Sequence, residues 1–196
     1  VALFDFRDPD AQTRLASLAQ AGIGGVRLYL YHEPDLDWVD DDRMDGIVTH
    51  AGRLGMVITV FGRWDMLAPV AALARRHPGT PFVLDHLGHP DLENVQSWQA
   101  VLDLANLPNV SIKMSDFPTV SRQPFPYADL RPYVREIHAA FGAERMMWAS
   151  NYPHVLRSPG YEQALTLVDT LLPSLSPFDR AQILGGTAAR LWRLTG

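Results

Sequence analysis

The stretch Met146-Met147-Trp148-Ala149-Ser150-Asn151-Tyr152-Pro153-His154 begins as an apolar run and ends in polar side chains around a proline turn. Two other segments share this pattern: Phe82-Val83-Leu84-Asp85-His86 and Val110-Ser111-Ile112-Lys113-Met114-Ser115. Apolar strands that finish in hydrogen-bonding or titratable groups are typical of a parallel α/β barrel, whose active site lies at the carboxyl ends of its strands. The pattern therefore predicts a pocket and not a flat binding surface.

Strand-like and helix-like segments alternate along the whole chain. The predicted strands cover residues 1–6, 25–30, 56–61, 82–86, 110–114 and 145–150. The predicted helices cover residues 11–21, 38–54, 67–76, 95–104, 130–141, 162–172 and 179–194. Because the strands are apolar throughout, we expect a parallel sheet covered by helices. This pattern predicts one α/β domain over residues 1–196, either an incomplete TIM-type (β/α)8 barrel of about six βα units with C-terminal helices, or a complete doubly wound open sheet.

The length and the first residues favour the incomplete barrel. A closed barrel of eight units needs roughly 250 residues, whereas this chain has 196 and opens with Val1 inside a strand-like run. We therefore expect an N-terminally truncated barrel.

Composition excludes several functional classes. The chain is 47% hydrophobic and 20% charged, with a formal net charge of -5 and no cysteine. A net negative charge gives no reason to expect a nucleic-acid partner, and no apolar run approaches the roughly 18 residues of a membrane span. The absence of cysteine excludes disulfides and is compatible with a reducing compartment, so we expect a cytoplasmic protein.

Polar side chains near the strand ends are the candidate substrate contacts. Alternation along a strand pairs Arg27 with Tyr29, Thr59 with Phe61 and Arg63, Leu84 with His86, and Lys113 with Ser111 and Ser115. In a barrel the polar members of these sets must face the interior. Together they would form a cationic mouth suited to a small anionic substrate. The predicted substrate-binding residues are Arg27, Tyr29, Arg63, Lys113 and Ser115.

Three further residues are the candidate catalytic groups. His86 ends a buried strand, and as neutral imidazole it could polarise a carbonyl, shuttle a proton or ligate a metal. Asn151 follows the last strand and could orient a water or stabilise an oxyanion, while His154 could act as base or substrate contact. His89 is interpreted as a loop residue.

The sequence gives no reason to expect a metal or another cofactor. It contains no H-x-H, no H-E-x-x-H and no glycine-rich nucleotide-binding loop. We therefore expect no metal ligands and no cofactor, with a divalent metal such as zinc as the alternative.

Four motifs in order resemble the amidohydrolase-related TIM-barrel hydrolases, in particular their 2-pyrone-4,6-dicarboxylate lactonase and sugar-lactonase branch. They are Val83 to Gly88, Val110 to Ser115, Met147 to His154 and Ile183 to Leu191. The resemblance implies that this chain supplies strands three to eight, without the H-x-H strand that opens family members. It also matches Arg27, His86 and His154 to family site positions, whereas Asn151 stands where many members have an aspartate that activates water or binds metal.

The resemblance implies a hydrolase acting on a lactone or a carboxylated cyclic ester, by attack of water on a polarised carbonyl. Two alternatives stay open. One is a metal-dependent amidohydrolase or decarboxylase relative, and the other is a barrel that binds a small acid without turning it over. The sequence predicts neither the exact substrate nor the oligomeric state.

Overall fold

A six-stranded parallel sheet is the frame of the protein, for which a computed structural model describes residues 1–194. The strands are β1 (Ala2–Leu3), β2 (Gly25–Tyr29), β3 (Val57–Phe61), β4 (Phe82–Leu84), β5 (Val110–Met114) and β6 (Met146–Trp148). Each is hydrogen-bonded in parallel to the next one along the chain, in the order β1-β2-β3-β4-β5-β6. A doubly wound sheet would reverse its strand order at a switch point. The observed order has no reversal among residues 1–194, so the barrel reading of the sequence is confirmed as the fold class.

Helices follow the strands, and the main core lies between them and the outer face of the sheet. They are α1 (Ala11–Gln20), α2 (Asp42–Arg53), α3 (Leu67–Arg76), α4 (Val95–Leu102), α5 (Phe117–Val120), α6 (Arg131–Phe141), α7 (Tyr161–Leu171), α8 (Pro177–Ala181) and α9 (Thr187–Leu191). The exception is α9, which packs against the inner face. The single helix predicted over 179–194 is divided, because a π-helical turn at Gln182–Gly186 separates α8 from α9. Within residues 1–194, no helix has the length and apolar character needed to cross a membrane.

Local sequence explains where the helices begin and which face they bury. The carboxylate of Asp41 accepts a hydrogen bond from the Met44 amide at 2.8 Å, which caps the start of α2. From Met44 onwards the buried residues of α2 recur at helical spacing. The α1 helix begins at Ala11, as predicted, and the Asp8 carboxylate accepts a hydrogen bond from the Asp10 amide at 2.9 Å in the turn that precedes it.

The two faces of the sheet carry different side chains. The outer face packs against the helices and forms the main core, which includes Val26, Ile58 and Leu84. On the inner face, Val57, Val83 and Met147 form a second cluster with the C-terminal residues Ala188, Leu191 and Trp192. These C-terminal residues therefore cover the inner face of the sheet near the amino ends of the strands. The polar residues lie towards the carboxyl ends of the strands.

Candidate functional site

A cavity of about 490 Å³ lies at the carboxyl ends of the strands. The loops after β4, β5 and β6 contribute most of its wall. Its lining residues are Arg27, Tyr29, Phe61, His86, Asp116, Phe117, Pro118, Thr119, Ala149, Ser150, Asn151, His154, Val155, Arg157, Ser158, Pro159 and Ala164. Five of the eight residues predicted from the sequence therefore meet here: Arg27, Tyr29, His86, Asn151 and His154.

The chain makes a left-handed turn immediately after β4. His86, Leu87, Gly88 and His89 have φ angles of 55°, 56°, 75° and 45°. A Cβ at Gly88 would lie 2.8 Å from the Val101 side chain, so this position requires glycine. Non-glycine residues held at positive φ are uncommon and concentrate at functional sites. This turn, named here the His86–His89 turn, brings His86 to the cavity wall and places the His89 ring 5.3 Å from the His86 ring.

Tyr133 of α6 stabilises the His86–His89 turn from the side of the core. Its side chain is fully buried, and its hydroxyl donates a hydrogen bond to the Leu87 carbonyl at 2.8 Å. Burial raises the pKa of Tyr133 well above its usual value, so the phenol stays protonated and remains a donor. The turn is thus supported from within the core.

His86 is the buried histidine of the site. Its side chain is enclosed, and Nδ1 lies 2.9 Å from the Ser115 hydroxyl. Burial lowers the pKa of His86 to about 4, against the opposing effect of Asp85. The imidazole is therefore neutral at physiological pH, and the Ser115 contact sets its orientation.

His86 does reach the cavity, but strand alternation, from which this was predicted, does not place it there. Leu84, with which it was paired by alternation, belongs to the outer core, and Asp85 takes the inner position. Strand alternation ends after Asp85, which is still extended, because His86 and Leu87 adopt left-handed backbone angles. His86 reaches the cavity through this turn, and not through the pleat of the strand.

Asp85 changes the charge of the predicted cationic mouth. Its carboxylate is fully buried, with Oδ1 2.7 Å from Nζ of Lys113 and Oδ2 2.9 Å from Nη2 of Arg27. The Arg27 contact is close enough for an ion pair but is not aligned as a hydrogen bond. One carboxylate thus offsets one of the two cations, and Lys113 is held inside, away from the cavity wall.

The remaining predicted contacts lie outside the cavity wall. Arg63 is half exposed and pairs with Asp65 at 2.9 Å, with its guanidinium carbon 5.8 Å from the centre of the Tyr31 ring. Ser115 is buried and acts on His86 through its hydroxyl. The structure therefore brings Arg27 to the cavity wall, and Ser115 contacts the cavity residue His86. Arg63 does not line the cavity.

Two residues that sequence reasoning missed complete a cluster of metal-ligating groups. His86, His89 and Asp116 each offer one donor atom, and these atoms all lie within 4.8 Å of one another. Asp116 follows Ser115 directly after β5, so it carries the same strand-end signal that singled out His86. His89, interpreted from the sequence as a loop residue, does lie in the turn after β4, and it was not considered as a ligand beside His86.

The donor set fits a divalent cation. Nε2 of His89 is buried and has no hydrogen-bond partner among residues 1–194, and burial lowers the pKa of His89 as it does for His86. Neutral imidazole and carboxylate are the forms in which these side chains ligate metals. The buried nitrogen without a partner is the observation that favours a bound ion.

A parallel barrel with histidine, arginine and carboxylate groups at the carboxyl ends of its strands has the arrangement of a barrel enzyme. The chain belongs to the amidohydrolase family, whose sequence profile matches residues 2–194. This assignment confirms the family inferred from the four motifs and the prediction of a hydrolase.

Curated relatives and solved structures agree with the family. The chain is 32% identical to an L-fucono-1,5-lactonase of Burkholderia ambifaria, over 99% of this chain and 70% of the relative. An amidohydrolase structure from Burkholderia multivorans with bound zinc superposes with a TM-score of 0.87 at 30% identity, over 97% of this chain and 72% of that one. A Pseudomonas putida protein, named as a candidate 2-pyrone-4,6-dicarboxylic acid hydrolase, gives 0.82 at 26% identity, over 98% and 71%.

The prediction of a site without metal is contradicted. A similar structure contains zinc, and the described chain brings two histidines and an aspartate together, of which His86 and Asp116 line the cavity. The search for H-x-H and H-E-x-x-H failed to find this cluster because its donors come from a left-handed turn after β4 and from the end of β5. Short sequence motifs detect ligands on one strand or helix, and these ligands lie on two loops.

Proposed function

We propose that the protein hydrolyses a lactone or a carboxylated cyclic ester. The observation that carries this proposal is the convergence of Arg27, Asn151 and His154 on one cavity beside His86, His89 and Asp116. The names of the lactonase and pyrone hydrolase relatives support the same substrate class. A cavity of about 490 Å³ is within the size range of small-molecule sites.

Arg27 binds and orients the substrate in this proposal. Its ion pair with the buried Asp85 holds the guanidinium in place, and about a third of the side chain, which lines the cavity, is exposed. A planar guanidinium suits the oxygens of a carboxylate or a ring ester. Because Asp85 contacts Nη2, we assign Nη1 to the substrate.

Asn151 and His154 act on water. Asn151 has a φ of 55°, and its carbonyl accepts from the His154 amide at 2.8 Å, so a single tight turn positions both side chains at the cavity. The amide of Asn151 can orient a water molecule, and the exposed imidazole of His154 can accept its proton. A divalent ion held by His86, His89 and Asp116 would supply Lewis-acid polarisation of the ester carbonyl.

The test is an assay of the full-length protein against a matched panel. Sugar 1,5-lactones and 2-pyrone-4,6-dicarboxylate are compared with open-chain esters of the same acids, with acid release followed by a pH indicator. We expect the cyclic esters to be hydrolysed and Arg27→Gln to lower kcat/KM by about 10²-fold, a loss typical of a transition-state contact. Arg180→Gln is the matched control, because Arg180 pairs with Asp169 on the surface.

Two results would overturn the proposal. One is a panel in which the cyclic esters are hydrolysed no faster than their open-chain counterparts. The other is binding of a small acid without turnover, which would instead support a binding protein on the same barrel. Thermal unfolding of each variant checks that a loss of rate is not a loss of folding.

A further inference from the structure

We propose that Arg157 is a specificity-determining residue, which binds a carboxylate that the cyclic substrate carries in addition to its ring ester. Arg157 lines the cavity but lies outside the strand-end pattern and takes no part in the proposed attack of water. The inference rests on the proposed function, and it narrows the substrate class from lactones in general to lactones that bear a free acid group.

Asn151, His154 and Arg157 recur at intervals of three residues, and all three line the cavity. The His154 amide donates to the Asn151 carbonyl at 2.8 Å, and the Arg157 amide donates to the His154 carbonyl at 2.9 Å. The second bond belongs to a 3-10 helical turn at His154–Leu156, and side chains three residues apart on such a turn lie one above the other. Arg157 is therefore presented on the same side of the chain as His154.

The backbone that carries Arg157 is held in place. The Val155 side chain is buried, and its carbonyl accepts a hydrogen bond from the Gly160 amide at 2.9 Å. The Ser158 hydroxyl lies 3.3 Å from the Tyr127 hydroxyl, which connects this segment to the loop after β5. Arg157 itself keeps helical backbone angles, with φ −85° and ψ −39°. The exposed guanidinium therefore extends from a fixed turn.

The Arg157 guanidinium has no ion-pair partner among residues 1–194, whereas Arg27, the other arginine of the cavity wall, is paired with Asp85. Asp116 is the one acidic residue among those that line the cavity, and its Oδ2 accepts a hydrogen bond from the Thr119 hydroxyl at 2.7 Å. The planar fork of donors on a guanidinium matches the two oxygens of a carboxylate. A guanidinium that lines a cavity without a counter-ion therefore favours a carboxylate ligand.

Arg157 and Arg27 approach the cavity from different sides. Arg27 belongs to β2, and Arg157 follows β6, which is four positions away in the strand order. In a barrel of eight strands, strands four positions apart face each other across the interior. One arginine can therefore contact the ring ester while the other contacts a separate acid group. A lactone without an acid group would leave Arg157 unpaired.

The test compares two lactones that differ only in charge. One is a six-membered lactone ring that carries a free carboxylate, and the other is the same ring with a primary carboxamide in its place. Acid release by the full-length protein gives kcat and KM for each. We expect Arg157→Gln to lower kcat/KM for the carboxylate by about 10-fold or more, mainly through KM, because a hydrogen bond to a charged group is lost. The values for the carboxamide should not change.

Two further variants separate the guanidinium from the charge and from the surface. Arg157→Lys keeps the positive charge but lacks the planar fork, so its loss on the carboxylate should be smaller than that of Arg157→Gln. Arg53→Gln is the matched control, because Arg53 is exposed at the end of α2 and also has no ion-pair partner among residues 1–194. It should change the turnover of neither lactone. Thermal unfolding checks that every variant is folded.

Equal losses on the two lactones, or no loss on either, in folded Arg157→Gln would overturn the role of Arg157. If neither lactone is hydrolysed, calorimetric binding of the carboxylated lactone to the parent protein and to Arg157→Gln gives the answer. Weaker binding to the variant would retain the role of Arg157 and reject only the proposed function. Equal binding to both proteins, or no binding to the parent, would reject the role of Arg157 as well.

Discussion

Oδ1 of Asp85 lies 2.7 Å from Nζ of Lys113, inside the sheet and remote from solvent. With Arg27 on its other oxygen, Asp85 holds two cations from β2 and β5 at the inner face. Buried charges are costly unless they are paired. This carboxylate therefore contributes to folding as well as to the position of Arg27.

We expect Asp85→Ala to lower the free energy of unfolding by roughly 3–5 kcal/mol, because it leaves the largely enclosed Lys113 and the partly buried Arg27 without their partner. Denaturant unfolding measures the loss. Asp65→Ala is the matched control: it breaks the exposed pair with Arg63 and should cost about 1 kcal/mol or less. Similar losses for the two variants would contradict the assigned role of Asp85.

Tyr133→Phe tests the support of the His86–His89 turn. The change removes the hydroxyl that donates to the buried Leu87 carbonyl, and leaving a buried acceptor without its partner costs about 1–3 kcal/mol. Thermal and denaturant unfolding provide the measurement. Tyr161→Phe, at a half-exposed ring of α7, is the comparison and should be near neutral. Equal effects would show that the Tyr133 hydroxyl does not stabilise the turn.

Asp45→Asn tests a pH-dependent contact between α2 and the end of α3. Hydrogen bonds from His77 and Arg76 lower the pKa of Asp45 below its ordinary 3.8. A lowered pKa means that the contact stabilises the fold above about pH 4 and is lost as the pH falls through the lowered value.

The expected loss for Asp45→Asn is about 0.5–1 kcal/mol at pH 7, because the pair is partly exposed. The difference from the parent should shrink towards pH 3 when unfolding is followed across this range. Glu136→Gln, at an exposed position of α6, should show no such trend. A difference for Asp45→Asn that stays constant with pH would contradict the linkage.

Much of the fold was predictable because strands and helices depend on local pattern. The strand at Val110–Met114 and the helix at Leu67–Arg76 were predicted at their observed bounds. Errors arose where the backbone departs from the regular pattern, as at β4, which ends at Leu84 before a left-handed turn. The broken C-terminal helix has the same origin, since periodicity does not reveal a π-helical turn.

The site was predictable only in part. Strand-end position identified Arg27, His86 and Asn151, because parallel strands place their carboxyl ends together. Strand-end position did not reveal that Arg27 and Lys113 share Asp85 as their ion-pair partner, because the Asp85 side chain was not expected on the inner face of the sheet. The cluster of His86, His89 and Asp116 forms because two left-handed turns, after β4 and after β5, bring these residues together. The order of residues along the chain does not reveal such turns.

Asn151→Asp addresses how the amide acts in catalysis. Asn151 has a φ of 55°, and Asp accepts this conformation nearly as well as Asn, so the substitution changes charge with little strain. If Asn151 only orients water, a carboxylate can also accept a proton, and turnover should be retained or increased. If the amide instead stabilises an oxyanion, a negative charge there should reduce kcat by roughly 10²-fold or more.

We expect retained or increased kcat for Asn151→Asp, because Asn151 adjoins His154, a potential proton acceptor, on the same turn. Measurement of kcat and KM on the best cyclic ester separates catalysis from binding. Asn151→Gly removes the side chain at a backbone angle that glycine adopts freely, and should lower kcat. A steep loss of kcat in Asn151→Asp, with KM and Tm unchanged, would contradict the water-orienting role and assign the amide to the developing negative charge.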